Sequence, residues 1–290
     1  MSKTIKPEQL YNFSISQFIS RALAEDIGDG DHTSLACIPA DATGKAKLLV
    51  KENGILAGVE LALQIFKAVD PSLKIKVFLK DGSRIKTGDI VLTAEGRSQS
   101  ILAAERLVLN CMQRMSGIAT KTDMLVALCK GTKAKVIDTR KTTPNFRGLE
   151  KWAVVIGGGA NHRIGLYDMI LIKDNHIDYA GGIPQAIKAA NEYLKTNKKK
   201  LKIEIEARDL DEVKQILAAG KVHRIMLDNF SYADMRKAVK LIGENYEIEA
   251  SGGITEKTIR HVAKCGVDFI SVGALTHHIK SLDLSLKAIR

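Results

Sequence analysis

Apolar and polar positions follow two rhythms along this chain. Residues 14–26 (SISQFISRALAED) space their apolar positions as one face of a helix does and lead into the turn-rich GDGDHT. Short alternating runs follow at 44–58, 73–85 and 88–96, punctuated by Gly and Asp-Gly. They predict a small α+β domain with antiparallel strands. A helical stretch then runs from Ser98 to Lys130, with Ser116-Gly117 expected to break or kink it. On it Arg106, Asn110 and Arg114 recur every fourth residue and form one polar stripe.

From residue 133 the rhythm changes. Short β-branched runs recur as KAKVIDTR (133–140), YDMILIKDNH (167–176), KIEIEAR (202–208), HRIMLDN (223–229), YEIEASGG (246–253) and DFISVGA (268–274). Helical segments at 183–195, 209–219, 231–242 and 255–265 separate them. This alternation predicts a parallel sheet covered by helices. With one more strand hidden near 118–132 or 150–160, a closed or nearly closed β/α barrel is preferred over a doubly wound open sheet.

Composition narrows the function classes. The chain has 290 residues, enough for one large and one small domain, and its low aromatic share, 5%, leaves mostly Ala, Val, Ile and Leu to build the core. The formal charge of +11 admits anionic partners of several kinds. No aromatic residues interleave with the basic ones, which argues against a single-strand nucleic-acid reader. The run Lys198-Lys199-Lys200 reads as a solvated loop. Cys37, Cys111, Cys129 and Cys265 are scattered without a CxxC pair, so neither a disulfide framework nor a zinc site is expected. Without a long apolar run, a cytoplasmic, soluble protein without membrane contact is expected.

Each barrel strand ends in chemically loaded residues: Asp138 to Lys141, Lys173 to His176, Glu206 and Arg208, Asp228-Asn229, Ser251-Gly252-Gly253, and Ser271 to Ala274. The C-terminal strand ends of such a barrel open onto one face. The two glycine-bearing loops come last, where backbone N–H groups and a helix N-terminus can hold a phosphate. Arg106, Arg140, Lys141, His162, Arg163 and Lys173 exceed what one phosphate needs and suggest a second anion bearing carboxylates or a pyrophosphate. Lys173 lies inside the apolar run MILIKDNH and must reach a cavity or a partner. Glu206 and Asp228 suit Mg²⁺ on a pyrophosphate or sugar hydroxyls; the plainer alternative is pairing with nearby cations.

DTRKTTPNFR (138–147), GGGANHRIGLYDMILIKDNHI (157–177), IEIEAR (203–208), IMLDNF (225–230), EASGGI (249–254) and ISVGALTHH (270–278) together resemble the quinolinate phosphoribosyltransferase family. ALAEDIGDGDHTS (22–34) and ERLVLN (105–110) fit the same resemblance, which runs from about residue 15 to the C-terminus. It implies an α/β fold: an N-terminal α/β sandwich over residues 1–115, rejoined by 277–290, and an incomplete, about seven-stranded parallel β/α barrel over 116–276. It implies that quinolinate and phosphoribosyl pyrophosphate give nicotinate mononucleotide, CO₂ and pyrophosphate, in NAD biosynthesis, with Mg²⁺ required. Arg106, Arg140, His162, Arg163 and Lys173 would surround quinolinate, with Arg106 coming from the neighbouring subunit of a homodimer, alone or within a hexamer. Lys141, Glu206 and Asp228 would act on phosphoribosyl pyrophosphate as the catalytic set, Glu206 and Asp228 addressing the metal directly or through the substrate. Ser251, Gly252, Gly253 and Gly273 would bind the 5′-phosphate. One departure is Asn145-Phe146, where many relatives carry Gly-Leu.

Three competing readings remain at this level. A relative could take nicotinate or another ring acid. A phosphosugar aldolase or isomerase could use Lys173 as a Schiff-base amine or Glu206 as a base. The charge alone would allow a nucleic-acid binder.

Overall fold

The computed structural model describes residues 13–289, which fall into two compact units. The first gathers the chain up to Asp123 with Thr142–Gly158 and the segment from Leu275. The second comprises Met124–Lys141 and Gly159–Ala274. The strands in chain order are β1 (Thr43–Val50), β2 (Gly54–Ile55), β3 (Lys74–Val77), β4 (Arg84–Ile85), β5 (Ile90–Arg97), β6 (Lys135–Ile137), β7 (Ile170–Ile172), β8 (Ile203–Ala207), β9 (Arg224–Asp228), β10 (Glu247–Ser251), β11 (Phe269–Ser271) and β12 (Leu284–Ile289).

In the first unit β12, β1, β5 and β3 form an antiparallel sheet in that order, and β2 pairs with β4. The pleat of β1 turns Ala46, Leu48 and Val50 inward and leaves Lys45 and Lys47 outside the core. The helix Val59–Val69, which the alternating reading of this region did not anticipate, buries Leu61, Ile65 and Phe66. Ser14 caps the first described helix, Ile15–Ile27, by accepting from Gln17 N.

The helix Ser98–Leu128 is unbroken through Ser116-Gly117, contrary to expectation. Both residues are there for packing. Ser116 Oγ accepts from Ala57 N, and a Cβ on Gly117 would lie 2.4 Å from the Lys280 carbonyl oxygen. The divide at 115/116 drawn from the sequence thus falls inside one helix.

In the second unit six parallel strands lie in the order β6-β11-β10-β9-β8-β7. Consecutive strands β7 to β11 are neighbours, and the first, β6, pairs with the last, β11. That order is the cyclic one of an incomplete barrel, with β6 and β7 as its edge strands, and differs from the doubly wound order. The expected seventh strand is replaced by helix at 150–156, and beyond β6 the ladder continues as a single parallel bridge between Ile137 and Ala160. The expected helices are present at Ile183–Thr196, Leu210–Ala219 and Tyr232–Ile242, but the one expected over 255–265 is shortened to Ile259–Ala263. Lys198–Lys200 form an exposed loop, and Cys111, Cys129 and Cys265 are buried. No helix among the described residues is long and apolar enough to cross a membrane.

Candidate active site

Parallel pairing aligns the C-terminal strand ends. Ile172 lies opposite Ile205, Ala207 opposite Leu227, Asp228 opposite Ser251, Ala250 opposite Ile270 and Ser271 opposite Ile137. Lys173 and Asp138 follow their strands by one residue. This places Asp138–Lys141, Lys173, Glu206, Asp228, Ser251–Gly253 and Gly273 at one end of the sheet, as the strand pattern predicted. The period of two puts Glu204 with Glu206 on one face of β8, and Glu247 and Glu249 with Ser251 on one face of β10.

At the upper layer the acids and cations are interlocked. Lys173 Nζ donates to Glu206 Oε2 at 2.7 Å, so the apolar run releases its lysine onto a carboxylate. This is the plainer of the two readings of Glu206. Asp228 Oδ2 accepts from Asn229 Nδ2 at 2.8 Å. The second oxygens of Glu206 and Asp228 engage no other described residue. Two hard oxygen donors from adjacent strands fit the chemistry of Mg²⁺, which keeps several of its own waters and ligand oxygens. Arg140 and Lys141 are exposed. Arg163 is half-buried; its Nη1 donates to Met169 O at 3.1 Å, and its Nε is buried without a partner. Burial, and then the charge of Arg140, lower the Arg163 pKa from its ordinary value. Glu204 and Asp168 offset this in part, and a guanidinium with a free N–H donor of this kind suits an anion.

Beneath lies a buried polar layer. His162, Glu204 and Glu249 are at most 8% exposed. His162 Nε2 is 2.8 Å from Glu204 Oε2 and 3.5 Å from Glu249 Oε2, and Arg224 Nη1 donates to Glu249 Oε2 at 2.8 Å. Arg224 also stacks 3.9 Å over the Phe269 ring. Burial raises the Glu204 carboxyl, and burial with the Glu204 charge pushes Glu249 up to about 8. Asp138, fully buried, accepts from His162 N at 2.9 Å. The sequence reading missed Glu204, Glu249 and Arg224; the repeated E-I-E alternation of β8 and β10 was the available signal.

The glycine end departs from expectation. Ser251-Gly252-Gly253 is not followed directly by a helix, since the next one begins at Ile259, and the helix after Gly273 is only Ala274–His277. A helix start therefore follows Gly273 directly, as anticipated, though only as a four-residue turn, and none follows Gly253. Gly252 has φ +91°, and a Cβ there would lie 2.2 Å from Asn229 Oδ1. Its lack of a side chain makes room for Asn229. Asn229 has φ +55°, a left-handed conformation that Asn tolerates, and its N–H donates to Ser251 O at 3.0 Å. Gly253, at φ +57°, has open space where a Cβ would stand.

Arg106 and Asn110 belong to the first unit and are exposed. Arg114 departs from their stripe: its Nε donates to the fully buried Glu150 at 2.8 Å, and its Nη2 to Thr143 Oγ1 and Thr276 O. This pins the TTPNF turn, in which Asn145 has φ +60°. Asn tolerates that left-handed conformation better than other residues with a side chain. Phe146 packs edge-on to Phe18 at 5.5 Å.

Two family models match the chain: quinolinate phosphoribosyl transferase, N-terminal domain, over residues 31–116, and C-terminal domain, over residues 118–287. A chloroplastic nicotinate-nucleotide pyrophosphorylase (carboxylating) of Arabidopsis thaliana is 46% identical, covering 99% of this chain and 86% of that protein. The structure of nicotinate-nucleotide pyrophosphorylase from Francisella tularensis superposes with TM-score 0.86 at 40% identity, over 95% of this chain and 96% of that one. NadC from Streptococcus pyogenes superposes with TM-score 0.90 at 38% identity, over 97% and 99% of the two chains.

Proposed function

Because this chain belongs to the quinolinate phosphoribosyltransferase family, we propose that it joins quinolinate to phosphoribosyl pyrophosphate, releasing pyrophosphate and CO₂ and forming nicotinate mononucleotide for NAD biosynthesis. The observation that carries this reading is the alignment of Lys173, Glu206, Asp228 and Ser251 at one strand end, with the buried Nε of Arg163, which has no hydrogen-bond partner, in the same unit and in electrostatic reach of Arg140. Arg140, Arg163 and Lys173 would neutralise the two ring carboxylates. Lys141 would meet the leaving pyrophosphate. Glu206 and Asp228 would hold Mg²⁺, directly or through the substrate, and the ion supplies charge neutralisation on the pyrophosphate. Ser251, Gly252, Gly253 and Gly273 would receive the 5′-phosphate.

The chemistry follows from charge placement. The ring nitrogen forms a bond to the anomeric carbon as the carbon–oxygen bond to pyrophosphate breaks. The ring nitrogen then carries positive charge beside the 2-carboxylate. The bond to that carboxylate breaks with loss of CO₂, and the electron pair left on the ring carbon is stabilised by the adjacent cation before it takes a proton. Fixed cations at the carboxylate subsite orient the ring at little cost of reorganisation. A Schiff-base reading is disfavoured because Lys173 Nζ sits on the Glu206 carboxylate, not in the apolar pocket that activates such an amine.

Arg106, exposed on its helix, is assigned to the quinolinate site of a partner subunit in a homodimer. Mixing Arg106→Ala and Lys141→Ala subunits should restore part of the activity in verified heterodimers; no recovery argues that Arg106 acts otherwise. The activity itself is tested by turnover of quinolinate with phosphoribosyl pyrophosphate and Mg²⁺. Full activity on nicotinate with none on quinolinate refutes the assignment.

A further inference from the structure

The imidazole of His162 is almost wholly buried, and both of its nitrogens have partners. Arg163 N lies 2.7 Å from Nδ1. A backbone amide only donates, so Nδ1 must offer a lone pair. Nε2, 2.8 Å from Glu204 Oε2, then carries the proton. Turning the ring over would put carbon against the amide and carbon against the carboxylate at these same short distances, so two contacts fix its orientation. An imidazolium has no acceptor. A proton on Nδ1 would face the Arg163 N–H and abolish that hydrogen bond.

We propose that His162 is a positioning residue: held as the neutral Nε2–H tautomer, it fixes the Arg163 main chain and aims the Arg163 guanidinium at the anion, contributing no charge of its own. This differs from the role that family resemblance implied, in which His162 is one of the cations around quinolinate. It rests on the proposed function only for the identity of the anion.

The surroundings are consistent with a neutral ring. Glu204 faces it from β8 and Glu249 from β10, while Asp138, after β6, holds its main-chain N–H. Two carboxylates would ordinarily favour an imidazolium. Arg224 on β9 offsets them through its bond to Glu249, and Arg163 adds a second positive charge next in the chain. Burial and the Glu204 charge raise the Glu249 pKa, which favours its neutral form and weakens its pull on a proton at the ring. Arg163 feels the Glu204 and Asp168 charges, yet its buried Nε has no hydrogen-bond partner.

The test begins with the wild-type enzyme labelled with ¹⁵N-histidine, the His162 signals being identified by their absence in His162→Asn. At neutral pH, free and with quinolinate added, they should show the well-separated nitrogen shifts of the neutral Nε2–H tautomer. The near-equal shifts of an imidazolium in either state overturn the proposal. Kinetics supply a second arm. His162→Asn keeps an acceptor for Arg163 N–H and should raise the KM for quinolinate about 3-fold, whereas His162→Lys keeps a charge but no acceptor and should raise it about 100-fold. The reverse ranking overturns the proposal. If His162→Asn does not fold, the His162 signals are assigned by scalar connectivity in the wild type, and the tautomer decides alone. The free-enzyme spectrum needs no substrate, so failure of quinolinate turnover counts against the proposed activity and not against the tautomer.

Discussion

Gly252 offers the sharpest test of how the phosphate end of the site is built. In Gly252→Ala the new Cβ would stand 2.2 Å from Asn229 Oδ1, 2.5 Å from its Cγ and 2.9 Å from its backbone nitrogen. The backbone nitrogen cannot yield without breaking its bond to Ser251 O. Asn229 must therefore swing away and release Asp228, to which its amide donates at 2.8 Å. Losing a hydrogen bond to a charged group costs about 1.5–3 kcal/mol. Holding alanine at the positive φ of Gly252 adds about 1–2 kcal/mol. The substitution should thus lower unfolding stability by about 3–4 kcal/mol, read from urea denaturation.

The cause is isolated by a double-mutant cycle with Asn229→Gly, which removes the obstructing side chain and suits the left-handed φ of position 229. In that background the 2.9 Å contact with the residue-229 backbone nitrogen and the backbone strain remain, but the clash with the side chain and the loss of its bond to Asp228 do not, leaving a coupling of about 2 kcal/mol. An equal cost in both backgrounds would refute the steric reasoning and return Gly252 to the simpler role of admitting a phosphate.

Three further perturbations separate stability from binding. Arg114→Ala strands the buried Glu150 carboxylate and should cost about 3–5 kcal/mol in denaturant unfolding; a loss below about 1 kcal/mol contradicts the network. Lys173→Ala breaks a half-exposed ion pair and should cost no more than about 1 kcal/mol of stability, yet raise the KM for quinolinate at least about 10-fold; an unchanged KM removes Lys173 from the site. Glu249, ordinarily near 4.5, is pushed up to about 8 by burial and Glu204, so its neutral form is favoured in the fold and its contribution is present below pH 4.5 and lost as pH rises towards 8. Glu249→Gln should flatten the decline of Tm across that window, and an identical pH slope in variant and wild type would count against the raised pKa.

What could be read in the sequence was what repeats. The β-branched runs with polar ends located six strands and brought their polar ends together, because parallel pairing leaves every C-terminus on one side. Pairwise geometry across distant positions could not be read. Lys173 was recognised as needing a partner, but that partner, Glu206, lies on the neighbouring strand. At Gly252 the local pattern pointed to a ligand and had no view of Asn229, which belongs to another loop and also needs the space. Ser116-Gly117 looked like a helix break because intrinsic propensity outweighs packing when only neighbours in sequence are visible. Glu204 and Glu249 went unnoticed for a related reason: inward positions of a barrel are expected to be apolar, and their acidic side chains make sense only as a layer with His162 and Arg224.

That layer bears on how the mouth can work. With a neutral His162, these strand ends carry Arg140, Lys141 and Lys173, with Arg163 in electrostatic reach of Arg140, against Asp138, Glu206 and Asp228, four cations against three carboxylates. That surplus does not neutralise even one dianionic ring acid. Phosphoribosyl pyrophosphate brings several further negative charges, and desolvating these without counter-charge would be prohibitive. Charge balance thus requires positive groups beyond this unit's own mouth. A divalent ion on Glu206 and Asp228 would supply part of it, and a guanidinium such as Arg106 from a second subunit would supply more. On this argument, a metal and a shared site, as proposed, would have a common physical cause, and Arg106→Ala should weaken quinolinate binding most when phosphoribosyl pyrophosphate is already bound.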